Sequence, residues 1–180
     1  MWRTGGSFHS GVPGRSIQTA MNSLLLKRAL LPLLVCALAA CNQANVTGSA
    51  RTYALTNLLP SDTAYSGAGG TATITPLSTG DTGTVLLASK LKPSTLYGVS
   101  YHASGTDVSG GVCTSNGQTL GSVLAATSDA SGSLTFKALT TTLSGSTYLA
   151  VQEVVTNTDG TQTLGSLPLC ADLTGTPIKK

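Results

Sequence analysis

The chain is short of charge, of aromatics and of histidine. Of its 180 residues 9% are charged and 4% aromatic, and only two are His. Both methionines (Met1, Met21), the one tryptophan (Trp2) and one of the histidines (His9) fall within the first 21 positions. Apolar runs are short too: the longest, Ala29–Ala40, has twelve residues and contains Pro32. A helix that spans a bilayer needs about 20 apolar residues without such a break, so this run argues against one. No segment keeps an apolar period of 3.6, which argues against a helical bundle. The cysteines never stand in CxxC spacing, and no cluster of histidines accompanies them, so a structural zinc site has little to start from.

What charge there is divides unevenly. The whole chain has ten Lys and Arg against seven Asp and Glu, a net of +3. Four of the bases (Arg3, Arg15, Lys27, Arg28) precede Cys41 and no acid does, which leaves six bases against seven acids beyond it, a net of −1. The basic balance belongs to the leader. No basic patch points to nucleic acid, and none is expected as a partner.

The leader has the form of an export signal. Lys27 and Arg28 precede "ALLPLLVCALAAC", an apolar core of signal-peptide length that ends in small residues against Cys41. The stretch Leu38–Cys41 is similar to the lipobox of bacterial lipoproteins, in which the cysteine takes a diacylglycerol. An ordinary secretory signal cleaved near Ala40 is the plainer alternative. The expectation is a signal over 21–40, a lipid anchor on Cys41 and a small polar tether over 41–50, "CNQANVTGSA". Residues 1–20 fit no part of a signal, and translation is expected to start at Met21. Asn45-Val46-Thr47 matches a glycosylation acceptor, a match of little weight in a bacterial export context.

Residues 51–180 are rich in Thr, Ser, Gly, Ala, Val and Leu. Such a composition suits either a disordered linker or a polar-surfaced sheet. Regular alternation decides for the sheet. Strand-like runs are expected at 52–58, 70–77, 83–91, 95–103, 118–128, 133–143, 146–156 and 164–173, with turns at "TGDTG", "KPS", "DASG" and "NTDGT". Asp159-Gly160 is the strongest hairpin signal. The predicted fold is all-β, a Greek-key barrel or sandwich of about eight antiparallel strands.

With Cys36 in the leader and Cys41 acylated, Cys113 and Cys170 remain in an exported domain. One disulfide is expected there; two free thiols or a pair of metal ligands are the alternatives.

Several motifs in order resemble the copper–zinc superoxide dismutase family. Its strand and loop reading close to "LHGFHVHEFGD" and "GCTSAG" are similar to "LYGVSYHASGTDVSGGVCTSNG" at 96–117. Its preceding arm resembles "GTVLLASKLKPST" at 83–95, and its "ADxDG" turn with the next strand resembles "TSDASGSLTFKALTTTLSG" at 127–145. Its late "LVVHE" strand resembles "YLAVQE" at 148–153, and its final disulfide-bonded "CG(D)" resembles "CADL" at 170–173. The resemblance spans residues 53–175. It implies the family's barrel and a Cys113–Cys170 bridge.

It also implies a dismantled metal site. The family's first copper-ligand position falls on Ser100, the second on His102, and the fourth on Gln152. The bridging histidine, expected just after Cys113, has no counterpart in "TSNGQTLGS". The zinc-binding loop is missing, and the substrate-guiding arginine falls on Leu167. Redox copper needs several imidazoles or soft ligands, and beyond Cys41 the chain has one His and no Met. His102 is therefore expected to be a strand-end histidine, exposed or bonded to a neighbouring carbonyl. No cofactor is expected; copper is the alternative, held by His102 in a reduced site or between the subunits of a homodimer.

Other chemistry has less support. Nothing like a nucleophile elbow surrounds His102 or a serine. "GTDVSGG" lacks the lysine and helix of a phosphate loop. Asp107, Asp129, Asp159 and Asp172 stand at predicted turns, where carboxylates usually cap. Glu153 reads as a lone strand carboxylate. The sequence thus points to a lipid-anchored, non-enzymatic envelope module that binds a protein, a polymer or a small ligand through loops such as 103–117 and 154–168. The alternatives are a reduced dismutase-like enzyme and a copper chaperone or sensor.

Overall fold

The computed structural model describes residues 46–141 and 144–179. Residues 1–20, the signal at 21–40 and Cys41 lie outside the described residues. Nine strands follow in order: β1 Arg51–Asn57, β2 Gly69–Pro76, β3 Asp81–Ser89, β4 Leu96–His102, β5 Thr119–Thr127, β6 Leu134–Thr141, β7 Tyr148–Thr156, β8 Gln162–Leu164 and β9 Leu169–Asp172. Helical structure among the described residues is limited to two short 3-10 turns, Thr63–Tyr65 and Val112–Thr114. No helix there is long and apolar enough to cross a membrane.

All pairing is antiparallel, and the strand order is β5-β4-β7-β9-β1-β2-β3-β6, with β8 paired to β7 alone. β3 bonds to β6 and not to β4, so the β3–β4 and β6–β7 connections cross over in the Greek-key manner. β5 and β6 end the order and approach each other without a ladder, which leaves the barrel nearly closed.

Alternation decides which side of each strand is inside. On β1, Tyr53 and Leu55 face the core; on β2 Ala72, on β3 Thr84, Leu86 and Ala88, and on β6 Leu134 and Phe136 do the same. The outward partners on β2 are Thr71, Thr73 and Thr75. Every tyrosine of the chain is buried, and so is Phe136, so the aromatics among the described residues are all spent on packing. Tyr101 and Thr84 share a hydrogen bond between their hydroxyls across the interior, which satisfies two polar groups that burial would otherwise penalise.

The hairpin expected at Asp159-Gly160 is present: the Asn157 N–H donates to the Thr161 carbonyl, and Gly160 takes φ +82°. The closing run expected as one strand over 164–173 is two. Pro168 has no N–H to give a ladder, and its carbonyl instead accepts from the Leu58 N–H, so β8 ends before it and β9 begins after it.

Candidate functional site

β4 lies between β5 and β7 and is covered on both faces. Tyr97, Val99 and Tyr101 point into the core, so Gly98, Ser100 and His102 lie on the outer face. Register sets Gly98 opposite Gln152, Ser100 opposite Ala150 and His102 opposite Tyr148. The three positions singled out by the resemblance, Ser100, His102 and Gln152, therefore share one outer face of two adjacent strands.

His102 is buried, at 7% exposure. Its Nδ1 lies 3.0 Å from the Gly117 carbonyl oxygen, an acceptor only, so Nδ1 carries the proton and donates. Its Nε2 lies 2.9 Å from Ser100 Oγ and accepts from that hydroxyl. Thr119 Oγ1 approaches Nδ1 at 3.5 Å, too long to add much. The ring stacks on Tyr148, with centroids 4.7 Å apart and planes 9° from parallel. Tyr148 Oη in turn accepts from the Gly117 N–H at 3.1 Å. Gly117 admits no side chain: a Cβ there would lie 1.6 Å from the Ala103 carbonyl oxygen.

The disulfide expected between Cys113 and Cys170 is present, joining residues 57 apart in sequence with Cα atoms 6.0 Å apart. It ties loop 103–118 to β9. Tyr148, Ala150 and Cys170 form a small apolar layer outside the barrel, covered by Leu58, Val112, Cys113 and Leu167. Leu167, the position that the resemblance sets against an arginine, is part of that apolar cover. Gln152 is half-buried, and its side chain makes no hydrogen bond to a described residue. Beside it the face is closed by apolar groups: a Cβ at Gly98 would meet Val123 Cγ1 at 2.8 Å and Leu164 Cδ2 at 3.0 Å.

Copper can be tested against this donor set. Both nitrogens of the one imidazole are engaged, Ser100 is a neutral hydroxyl, and Gln152 is a neutral amide. No group of three or more His, Cys, Asp or Glu lies together among the described residues. Imidazole-rich copper coordination does not fit these residues.

The four aspartates at turns all do the same work. Asp107, Asp129, Asp159 and Asp172 each accept, through Oδ1, the backbone N–H and the hydroxyl of the Ser or Thr two residues later. These bonds favour the carboxylate: Ser109 N–H foremost for Asp107, and the hydroxyls of Ser131 for Asp129 and Thr161 for Asp159, hold those three below the usual aspartate range.

Glu153 has no acid for a partner, but a base and a phenol from far along the chain meet it. It is on the inward side of β7 at the barrel end closed by the β1–β2 and β3–β4 connections. Lys92 Nζ reaches its Oε2 at 2.8 Å and Tyr65 Oη donates to the same oxygen at 2.7 Å. The ammonium also sits 5.1 Å from the Tyr65 ring centroid, within cation–π range. Tyr97 Oη accepts from the Lys92 N–H. The bond from Lys92 holds the Glu153 carboxyl below its ordinary range and, reciprocally, raises the ammonium. Burial first, then the contact with Glu153, pushes the Tyr65 phenol up, and burial does the same to Tyr97. Every member of this cluster is paired with another, which makes it a plug for the barrel end. Partners 88 and 61 positions away from Glu153 left no local signal in the sequence.

No family model matches the chain, and no curated protein matches it.

Proposed function

We propose that the chain is an envelope lipoprotein, anchored through Cys41, whose barrel resembles the copper–zinc superoxide dismutases with both metal sites lost. In this reading it works as a non-enzymatic binding or structural module. The observation that carries it is the use made of His102. In a metal site a ring nitrogen is offered to the ion; here one nitrogen accepts from Ser100 and the other donates to Gly117, and the ring stacks on Tyr148. The imidazole has become a fastening for loop 103–118. Together with the disulfide it holds that loop rigid, and a rigid polar loop suits presentation to a partner better than catalysis.

The test loads the purified full chain with Cu(II), passes it through a desalting column, and measures retained copper and superoxide decay. Metal well below one equivalent, with no activity, is expected. One equivalent retained, together with activity abolished by His102→Ala, would overturn the reading. The anchor is tested separately by Cys41→Ser, which should move the protein out of the membrane fraction, because two or three acyl chains give stable attachment and none gives none.

A further inference from the structure

One end of the barrel is plugged by Tyr65, Tyr97, Glu153 and Lys92. The other end has a pocket of about 450 Å3, open to the surface. Its volume falls within the roughly 300–1,000 Å3 of small-molecule sites. Arg51 opens β1 on the same side of the strand as Tyr53 and Leu55, so it is the outermost member of an inward-facing row. Ile74, its cross-strand partner on β2, forms an apolar wall with Pro76 and Leu173, and Ser49 completes the rim.

Two polar side chains lining this pocket have no partner among the described residues. Tyr53 is 94% buried by residue, at 6% exposure, yet its hydroxyl bonds to no described residue. Tyr53 lines the pocket, and among the described residues no fully buried side-chain polar atom lacks a partner. The exposed Arg51 side chain likewise makes no hydrogen bond or ion pair to a described residue; the one ion pair among the described residues is Lys92–Glu153. The acids at this end do not compensate it. Asp81 is bonded to Thr79, and Asp172 caps Thr174 and Gly175. The backbone bond from the Ile178 N–H to the Thr52 carbonyl brings a second cation, Lys179, to the neighbourhood of β1.

We propose that this barrel mouth binds a small monocarboxylate with a short apolar chain. The carboxylate takes the guanidinium fork of Arg51 and a third hydrogen bond from the Tyr53 hydroxyl, and the chain lies against Ile74, Pro76 and Leu173. A guanidinium presents paired donors that match a carboxylate. One guanidinium and one phenol supply three donors, which suits a monoanion better than a phosphate dianion. This site stands apart from the anchor and from the outer face around His102.

The experiment titrates hexanoate into the 15N-labelled full chain and follows amide shifts. Saturable shifts centred on Arg51, Tyr53 and Ile74 are expected. Arg51→Gln should weaken binding about tenfold or more, and Tyr53→Phe severalfold, because a charge-assisted bond is stronger than a neutral one. Both variants should keep the wild-type amide dispersion. Hexylammonium and hexanol of the same chain length should bind at least tenfold more weakly than hexanoate. Inorganic phosphate that bound as tightly at the same residues would overturn the assignment to carboxylates. Hexanoate shifts that do not saturate, that map elsewhere, or that survive Arg51→Gln unchanged would overturn the site.

Discussion

His102 and Tyr148, opposite each other on β4 and β7, stack 4.7 Å apart and grip the two sides of one residue: the histidine donates to the Gly117 carbonyl and the tyrosine accepts from the Gly117 N–H. The clamp turns a cross-strand pair into the hinge pin of loop 103–118. Removing either ring should free the same loop. His102→Ala leaves the Gly117 carbonyl and the Ser100 hydroxyl without their partner and takes away the stack, a loss of about 2–4 kcal/mol. Tyr148→Phe keeps the stack and loses one bond, about 1 kcal/mol. Denaturant melts give these values, and the double mutant should lose less than the sum because both residues hold one peptide. Strict additivity would mean that the two act independently.

The second fastening of that loop is covalent. Reducing Cys113–Cys170 releases a closure of 57 positions, a loss of about 4 kcal/mol in the chain-entropy model. The protein should alkylate at neither cysteine without reductant, and its melting temperature should fall after reduction. Unchanged melting would show that the apolar layer around Tyr148 and Leu167 holds the loop without the bridge.

Packing over Gly98 gives a third prediction. Val123 and Leu164 already lie within 3.0 Å of where its Cβ would be. Gly98→Val should cost about 1–3 kcal/mol by overpacking, and hydrogen exchange should rise first in β8, a strand bonded only to β7. Restoring room with Gly98→Val plus Leu164→Ala should recover part of the loss. No recovery would locate the strain elsewhere.

Acid and base should weaken the Lys92–Glu153 contact from opposite sides. The Glu153 carboxyl is depressed in the fold, chiefly by Lys92, so its contribution is full above the ordinary value of 4.5 and is lost as pH falls through the folded value. The Lys92 ammonium is raised, chiefly by Glu153, so its contribution is full below 10.5 and is lost as pH rises through the folded value. Lys92 is 36% exposed, so solvent screening keeps the pair to about 1 kcal/mol or less. The stability difference between wild type and Glu153→Gln should be flat near neutrality and shrink below about pH 4. A difference that persisted at pH 3 would rule the ion pair out as its source.

The barrel was legible because it is written locally. Thr71, Ala72, Thr73, Ile74 and Thr75 alternate, Asp159-Gly160 turns the chain, and each of the eight expected runs overlaps a strand. The break inside the last run was not, because Pro168 ends β8 and starts β9 only through its partner Leu58. Ser100 and His102 were placed on one face by parity alone. Tyr148 was missed, since nothing near it in sequence says that it lies opposite His102. The partners of Glu153 are hidden for the same reason, and Arg51 and Tyr53 look unremarkable until the barrel mouth brings Ile74 and Leu173 round them.

The His102 ring is committed on both nitrogens to holding a loop. Its imidazole 15N shifts read this directly, in the full chain before and after one equivalent of Cu(I). A protonated Nδ1 and an acceptor Nε2, both unmoved by the ion, are expected; a large Nε2 shift on adding copper would mean that the ring is not so committed.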